Sequence, residues 1–402
     1  MSQSSASSPT SPPQKLQLTP TERKASISLA LLFAVRMLGL FLLTPVFVVA
    51  APALAGGNDA AKVGLALGAY GLTQAIMQIP LGMASDRFGR RPVIMGGLVL
   101  FVIGGIICAL AKNVDWVTVG RTVQGLGAIS AAITAWLADA TRPEVRTRAM
   151  AMVGASIGLS FALSLVLSPV LVGQFGLSGL FWVISLLGFL SLLIATFVVP
   201  TVPRVPAPEQ SVRVRDVLKH ADLLRLNFGV FCLHFMLMTL FIVVPGLLRD
   251  VGGIDSAELW KVYLPVILAS FVLMVPGVFY TEKRRYHKQA LDASVMLMVV
   301  MLVIMALVTR QFMGIVMTLT GFFVAFNILE ALQPSLVSRV APPSYKGLAL
   351  GFYNTAQSLG IFLGGAIGGL LAAKIPVSGV LFFIAGLAVV WLIAAWGFRP
   401  VE

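Results

Sequence analysis

The sequence predicts an all-α membrane protein with twelve transmembrane helices, arranged as two pseudo-symmetric six-helix bundles. Of its 402 residues, 58% are hydrophobic and only 11% are charged, which is more apolar surface than a water-soluble core can enclose. Apolar segments of about 20 residues, the length that crosses a bilayer, follow one another from Ser26 almost to the C-terminus. A polar segment at 200–225 interrupts them, with six apolar segments on either side.

Twelve segments have the length and the apolar composition of a transmembrane helix. A transmembrane barrel would instead show short segments of alternating hydrophobicity. The twelve lie at about 26–51, 63–83, 92–111, 116–138, 149–172, 180–199, 226–248, 260–280, 290–308, 312–336, 348–372 and 377–398. We therefore expect a helical protein that crosses the membrane many times.

The polar segments divide the chain into four parts. Residues 1–25 are rich in Ser, Pro, Thr and Gln, a composition typical of a disordered tail. The linker at 200–225 begins Pro-rich and continues with apolar residues at helical spacing between Arg and Lys, which predicts an amphipathic helix on the membrane surface. The N-terminal bundle is then 26–199, and the C-terminal bundle is 226–402.

Basic residues are distributed unequally between the two sides of the predicted bundles. The chain has 29 Lys and Arg against 16 Asp and Glu, a net charge of +13. With the N-terminus inside, 21 basic residues lie in inside segments, six in outside segments and two, Arg36 and Arg121, within spans. Because basic residues concentrate on the cytoplasmic side of membrane proteins, both termini are predicted to be cytoplasmic. This distribution explains the positive charge without a nucleic-acid partner.

The loop between the second and third predicted spans carries three arginines beside one aspartate. It runs from Gly82 to Arg91 and reads GMASDRFGRR. Gly82 and Gly89 allow close backbone approach. The side chains that can pair across helix ends are Asp86, Arg87, Arg90 and Arg91. This pattern resembles the loop signature of the major facilitator superfamily of transporters.

A second pattern agrees with this resemblance. In the fourth span, Arg121, Gln124, Gly125 and Gly127 match the R-x-x-Q-G-x-G pattern common in proton-coupled members of the superfamily. Stretches such as VRMLGLF and YGLTQAIMQIPLG look most like the bacterial YajR group of drug/proton antiporters. The resemblance implies a location in the bacterial cytoplasmic (inner) membrane. Members of that group carry a soluble C-terminal domain, but the last predicted span ends four residues before residue 402, so we expect none here.

The resemblance also implies that the loop Gly82–Arg91 acts as a conformational latch. Asp86 should lie near the start of the eleventh span, around Gly347, where the positive end of the helix dipole stabilises a carboxylate. Arg90 should pair with Asp139 at the end of the fourth span. These contacts would hold the two halves together when the cavity faces outward. Alternatively, the loop charges only anchor the loop at the lipid headgroups.

Four ionisable residues lie well inside predicted spans, although a charge at the bilayer centre costs about 3 kcal/mol even on lenient scales. They are Arg36, Arg121, His234 and Glu330, in the first, fourth, seventh and tenth spans. These spans are the first helices of the four three-helix repeats. Since the corresponding helices line the central cavity in the superfamily, the resemblance implies that these residues face the transport pathway.

The chemistry of these four residues suggests different roles. Glu330 is the leading candidate for carrying a proton, because burial favours the protonated form of a carboxyl group. His234 is the second candidate, because imidazole titrates near neutral pH. Arg36 could hold an anionic group or neutralise Glu330, and Arg121 could anchor a polar network. Alternatively, Glu330 and Arg36 form a fixed stabilising pair, and His234 is a satisfied core residue. Many drug/proton antiporters have an acidic residue in the first span, where this chain has Arg36.

Other polar side chains in the spans are candidates for the substrate site. They are Gln74, Gln78, Asn227, Asn327, Asn354 and Gln357. The chain also contains 16 Met and 25 Phe, and soft, Met-rich walls suit varied hydrophobic ligands. The same residues serve equally well as lipid-facing filler.

Enzyme functions find little support. The segment Gly154–Gly158 spells the G-x-S-x-G of serine hydrolases, but that motif requires a strand-to-helix turn and lies here in an apolar helical segment. The sequence contains no G-x-x-x-x-G-K-[ST] motif, Cys/His metal cluster or dinucleotide fingerprint, so we expect no cofactor and no metal.

We expect instead a monomeric, proton-coupled exporter of small hydrophobic or amphipathic compounds. The alternatives are a proton symporter or uniporter of a small metabolite, and a non-transporting receptor.

Overall fold

The computed structural model describes residues 18–200, 217–284, 286–342 and 346–399. Helices make up nearly all of these ranges, as expected where no water can satisfy backbone polar groups. In chain order they are α1 (Pro20–Phe41), α2 (Phe47–Ala50), α3 (Ala60–Phe88), α4 (Arg90–Leu110), α5 (Val114–Leu126), α6 (Ser130–Asp139), α7 (Pro143–Leu193), α8 (Ala221–Gly252), α9 (Trp260–Arg284), α10 (His287–Leu307), α11 (Phe312–Val340), α12 (Lys346–Lys374) and α13 (Val377–Trp396).

The helices account for the twelve predicted crossings. Within the described ranges, nine helical segments are long and apolar enough to span a membrane. The other three predicted crossings are α3, the pair α5 and α6, and the second half of α7. The chain reverses within α7 at Gly176, whose φ of +66° is a conformation that favours glycine. The predicted all-α membrane fold is confirmed.

Two predicted spans are interrupted rather than continuous. The first stops at Phe41 and resumes at Phe47, because Pro45 lacks a backbone N–H and disfavours helical geometry at the residue before it. The fourth breaks between α5 and α6 around Gly127. Glycine is a weak helix former, and a Cβ on Gly127 would collide with the carbonyl oxygen of Gly97 on α4. The break therefore permits close packing of α5 against α4.

The helices that follow the predicted tail and linker begin earlier than predicted. The first begins at Pro20 rather than Ser26, because Thr19 and Glu22 form a capping box and Pro favours the first helical position. The helix α8 begins at Ala221 rather than 226. The tail and the linker therefore end earlier than predicted, just before Pro20 and just before Ala221. Residues 1–17 of the tail and 201–216 of the linker, which include the start of the predicted amphipathic helix, lie outside the described residues.

The helix ends define two ends of the molecule. The basic end contains the loop at Gly89, together with Asp139 and the start of α1. The distal end contains Ala55, Asn113 and Gly253. Backbone hydrogen bonds join Ala55 to both neighbours of Asn113, so the loops before α3 and α5 meet at the distal end.

The two halves of the chain meet most extensively through α3 and α12, which pack against each other. The glycines of α12 form two packing faces. On one face, Gly360 and Gly364 lie against the backbone of α8. On the other, Gly365 and Gly369 lie against the backbone of α3. Small residues allow such close approach between membrane helices, so α12 connects the core of its own bundle to the opposite half.

Candidate functional site

A polar cluster in the C-terminal half joins α8, α11 and α12. The Nε2 atom of His234 lies 2.7 Å from the Gln357 amide nitrogen and 3.7 Å from Oε2 of Glu330. In a neutral ring that donates from Nδ1 to the Val230 carbonyl, 3.1 Å away, Nε2 is the acceptor for the Gln357 N–H. Protonation of the ring would convert the contact with Glu330 into an ion pair. The structure therefore brings the two predicted proton carriers together.

The cluster is only partly shielded from solvent. The side chain of His234 is 7% exposed, whereas that of Glu330 is 33% exposed. The Oε2 atom of Glu330 is itself buried and has no hydrogen-bond partner, and the Tyr353 hydroxyl is also buried without one. Because an unsatisfied buried acceptor is costly, this carboxylate oxygen is a place where a hydrogen-bond donor would be stabilising.

The other polar candidates in this half have different surroundings. Asn327 lies three residues before Glu330 and donates from Nδ2 to Ser270 Oγ on α9 at 3.0 Å. Asn227 carries a buried Oδ1 without a partner. Asn354 is half-buried on α12. Since these residues occupy four different helices, the polar lining extends beyond the histidine cluster.

A second polar network lies in the N-terminal half around Arg36. The side chain is completely buried, and its guanidinium donates to the Tyr70 hydroxyl at 2.6 Å and to Ser130 Oγ at 3.2 Å. The guanidinium also lies 5.9 Å from the centre of the Phe101 ring. Helices α3, α4 and α6 therefore hold Arg36 of α1 in place through neutral groups.

The Arg121 side chain shares Tyr70 with Arg36. Its guanidinium lies 4.8 Å from the centre of the Tyr70 ring and donates to Oε1 of Gln124 at 3.1 Å. Two further glutamines of α3, Gln74 and Gln78, are buried and have side-chain atoms without a hydrogen-bond partner. The network itself thus holds two cations through neutral groups.

The structure does not contain the fixed pair between Arg36 and Glu330 considered from the sequence. Within the described residues, the ion pair of Glu330 is with His234, and the hydrogen bonds of Arg36 are to Tyr70 and Ser130 in its own half. The reason is that α1 packs mainly against α7 and directs Arg36 into the N-terminal bundle. Instead of lining an open cavity, Arg36 and Arg121 are almost completely buried.

The charged loop makes its contacts at the basic end. Arg90 donates from Nε to Asp139 Oδ2 and from Nη1 to Ser85 Oγ, both at 2.8 Å, and forms an ion pair with Asp86. Gly89 has a φ of +98° and separates α3 from α4. The expected contact between Arg90 and Asp139 is therefore present, and it joins this loop to the end of α6.

The neighbouring arginines lie against helix ends and rings. Arg91 donates to the carbonyl oxygens of Ala195 and Val199, at 3.1 and 2.8 Å. These are acceptors at the end of the sixth crossing, where backbone carbonyls lack helical partners. Arg87 lies over the Phe88 ring, and Gly82 is near Ala131 of α6. The expected position of Asp86 near the start of α12, around Gly347, stays a prediction.

The sequence interpretation missed one buried carboxylate at the basic end. Glu22 accepts hydrogen bonds from the backbone N–H and the guanidinium of Arg142, at 2.8 to 3.1 Å, and its side chain is 8% exposed. This contact ties the start of α1 to the start of α7. The T-x-x-E pattern at Thr19–Glu22 is a capping-box signature and could have placed this residue in a helix.

The hydrolase motif has no suitable geometry. Gly154–Gly158 lies inside α7, and the Ser156 hydroxyl donates to the Val153 carbonyl at 2.8 Å. This is the hydrogen bond of an ordinary helical serine, whereas the nucleophile of a hydrolase requires a strand-to-helix turn. The described ranges also contain no group of three His, Cys, Asp or Glu that could hold a metal.

Comparison with known proteins places these features in a family. The sequence model of the Major Facilitator Superfamily matches residues 29–365. The Inner membrane transport protein YajR of Escherichia coli (strain K12) is 43% identical over 94% of this chain and 84% of its own length. The Multidrug resistance protein MdtH of Aeromonas hydrophila is 27% identical over 78% of each chain.

A solved structure has the same fold. The crystal structure of a D-xylose-proton symporter superposes with a TM-score of 0.78 over 95% of this chain and 98% of its own, at 14% sequence identity. The relatives are transporters rather than enzymes. With twelve crossings, the charged loop and a family match over most of its length, the chain belongs to the major facilitator superfamily of membrane transporters.

Proposed function

We propose that the chain exports small hydrophobic or amphipathic compounds in exchange for protons, by alternating access to a site between its two halves. The observation that carries this proposal is the approach of His234 to Glu330, 3.7 Å apart in the membrane interior. Ionisable residues inside membrane spans are rare and often belong to proton pathways of transporters, and this pair joins two of them. Multidrug resistance in the name of a relative, MdtH, supports drug-like substrates.

The position of the pair suggests how proton binding affects conformation. Gln357 connects His234 to α12, the helix that also packs against α3 of the other half. A charge change at Glu330 alters the cost of burying the cluster, and thereby favours one packing of α12 over another. A proton bound on one side of the membrane can in this way be released on the other.

An aromatic contact between the halves supports alternating access, since towards the distal end the ring of Phe161 on α7 lies 6.2 Å from that of Phe241 on α8. At the basic end, Arg90 binds Asp139 and Asp86 of its own half, and we propose that the loop held in this way is the latch. We propose the inner membrane as the location, cytoplasmic termini and a monomer as the active form.

Flux measurements in proteoliposomes with an imposed pH gradient test the proposal. We would compare cationic, neutral and anionic fluorescent dyes, using the wild type, Glu330→Gln, and Glu258→Gln as a matched control, because Glu258 is an exposed carboxylate near the distal end paired with Lys261. We expect gradient-driven dye flux against the proton flow in the wild type and the control, and its loss in Glu330→Gln. Flux in the same direction as the protons would indicate a symporter, and flux that ignores the gradient would indicate a uniporter. Either result would overturn the antiport assignment.

A further inference from the structure

Two guanidinium groups in the N-terminal half share one tyrosine. Arg36 donates to the Tyr70 hydroxyl at 2.6 Å, and Arg121 lies over the face of the same ring at 4.8 Å. The two arginines are 0% and 2% exposed. Two positive charges are therefore held close together in the interior of a membrane protein.

Among the carboxylates of this half whose side chains the structure describes, none is placed to compensate them. Each one lies at a helix end and is bound there. Glu22 binds Arg142, Asp59 caps the start of α3, Asp86 and Asp139 bind Arg90, and Asp115 binds Lys62. A buried charge requires an opposite charge or a full set of hydrogen bonds, and the partners of Arg36 and Arg121 are neutral. The network is thus short of negative charge.

The same network contains donors that are not in use. The Nε atoms of Arg36 and Arg121 are buried without an acceptor, as is the amide nitrogen of Gln124. Charge-assisted hydrogen bonds from guanidinium to carboxylate, sulfonate or phosphate oxygens are among the strongest in proteins. An anionic group entering this network would satisfy donors and neutralise charge together.

We infer that the transported compound carries an anionic group, such as a carboxylate or sulfonate on an apolar body, which binds at Arg36 and Arg121. This inference rests on the proposed transport function and names its substrate class. Gly68 and Gly71, on either side of Tyr70 in the sequence, lie against the backbone of α12. Movement of α3 relative to α12 during the transport cycle would therefore also move Tyr70, which contacts both arginines.

Ligand-induced thermal stabilisation of the purified full-length chain in a nonionic detergent tests the inference. The probes are matched pairs that share an apolar body and differ in charge: phenyl, naphthyl and octyl sulfonates against the corresponding ammonium compounds. The variants are Arg36→Gln and Arg36→Lys, with Arg249→Gln as control, because Arg249 is an exposed arginine at the distal end paired with Asp250.

We expect the sulfonates to raise the unfolding midpoint of the wild type and of Arg249→Gln more than their ammonium partners do, since a ligand of the folded state stabilises it. Arg36→Gln should weaken sulfonate binding about tenfold or more, the loss typical of one charged hydrogen bond. Arg36→Lys should retain part of the affinity because it keeps the positive charge, which separates loss of binding from loss of folding.

Three outcomes would overturn the inference: ammonium partners that stabilise as well as the sulfonates, inorganic sulfate that stabilises equally, or sulfonate binding unchanged in Arg36→Gln. Its failure is distinct from failure of the proposed transport. Gradient-driven flux of cationic dyes without sulfonate binding would leave antiport standing and remove the anionic site. Arg36-dependent sulfonate binding without any gradient-driven flux would support the anionic site and remove the proposed antiport.

Discussion

A Cβ atom on Gly68 of α3 would lie 2.5 Å from the carbonyl oxygen of Phe362 on α12. The same holds one turn along, where a Cβ on Gly71 would lie 2.6 Å from the Ser358 carbonyl oxygen. Backbone meets backbone at these positions without intervening side chains, as in other tightly packed membrane helices. This close contact between the two halves therefore requires glycine, which has no Cβ atom, at both positions.

We predict that Gly68→Ala opens the contact between α3 and α12. The added methyl group requires a separation of about 1 Å to reach an ordinary packing distance, which favours states with the halves apart. Spin labels at Lys62 and Lys374, near the distal ends of the two helices, would report longer distances by pulsed electron resonance. Gly96→Ala is the matched control, because a Cβ there meets nothing within 4 Å. An unchanged distance distribution in Gly68→Ala would contradict this role.

The latch predicts a measurable coupling between Arg90 and Asp139. Their side chains are 19% and 21% exposed, so solvent screens the pair less than it screens a surface ion pair. A double-mutant cycle with Arg90→Gln and Asp139→Asn should give a coupling energy of about 1 kcal/mol in the free energy of unfolding. The exposed pair Lys261 and Glu258 should give a coupling near zero. Equal values for the two cycles would argue against the latch.

Glu22 should contribute strongly to stability. Its buried carboxylate accepts from the backbone and guanidinium of Arg142 and from the Thr19 N–H. Glu22→Gln removes the charge from these hydrogen bonds and should lower the free energy of unfolding by about 2 kcal/mol. Asp115→Asn changes an exposed carboxylate, 68% accessible, and should have little effect. The comparison requires only thermal or denaturant unfolding in detergent, and a similar loss in both variants would contradict the assignment.

Much of the fold could be predicted because the membrane leaves few alternatives. Apolar length located the crossings, and the resemblance of the charged loop to the superfamily signature implied the contact between Arg90 and Asp139. The helix breaks at Pro45 and Gly127 were missed, because apolar composition continues through them while the backbone geometry does not.

The candidate site was less predictable than the fold. His234 and Glu330 stood out as ionisable residues in apolar segments, but their proximity depends on the packing of α8, α11 and α12. Tyr70, which joins Arg36 to Arg121, gave no signal of its own in the sequence, because a tyrosine in a membrane helix is common. Which residues contact each other between helices depends on the angles at which the helices cross and on the depth of each residue in the membrane. Composition and periodicity specify neither.

The central claim is that Glu330 carries the proton exchanged for substrate. A pH indicator trapped inside proteoliposomes tests it directly when a dye that the wild-type protein takes up is added outside. We predict that the lumen becomes more alkaline as dye enters the wild-type and Glu258→Gln vesicles, and that this change is absent with Glu330→Gln. Dye uptake by the wild type with no change in luminal pH, or an undiminished change in Glu330→Gln, would contradict the account.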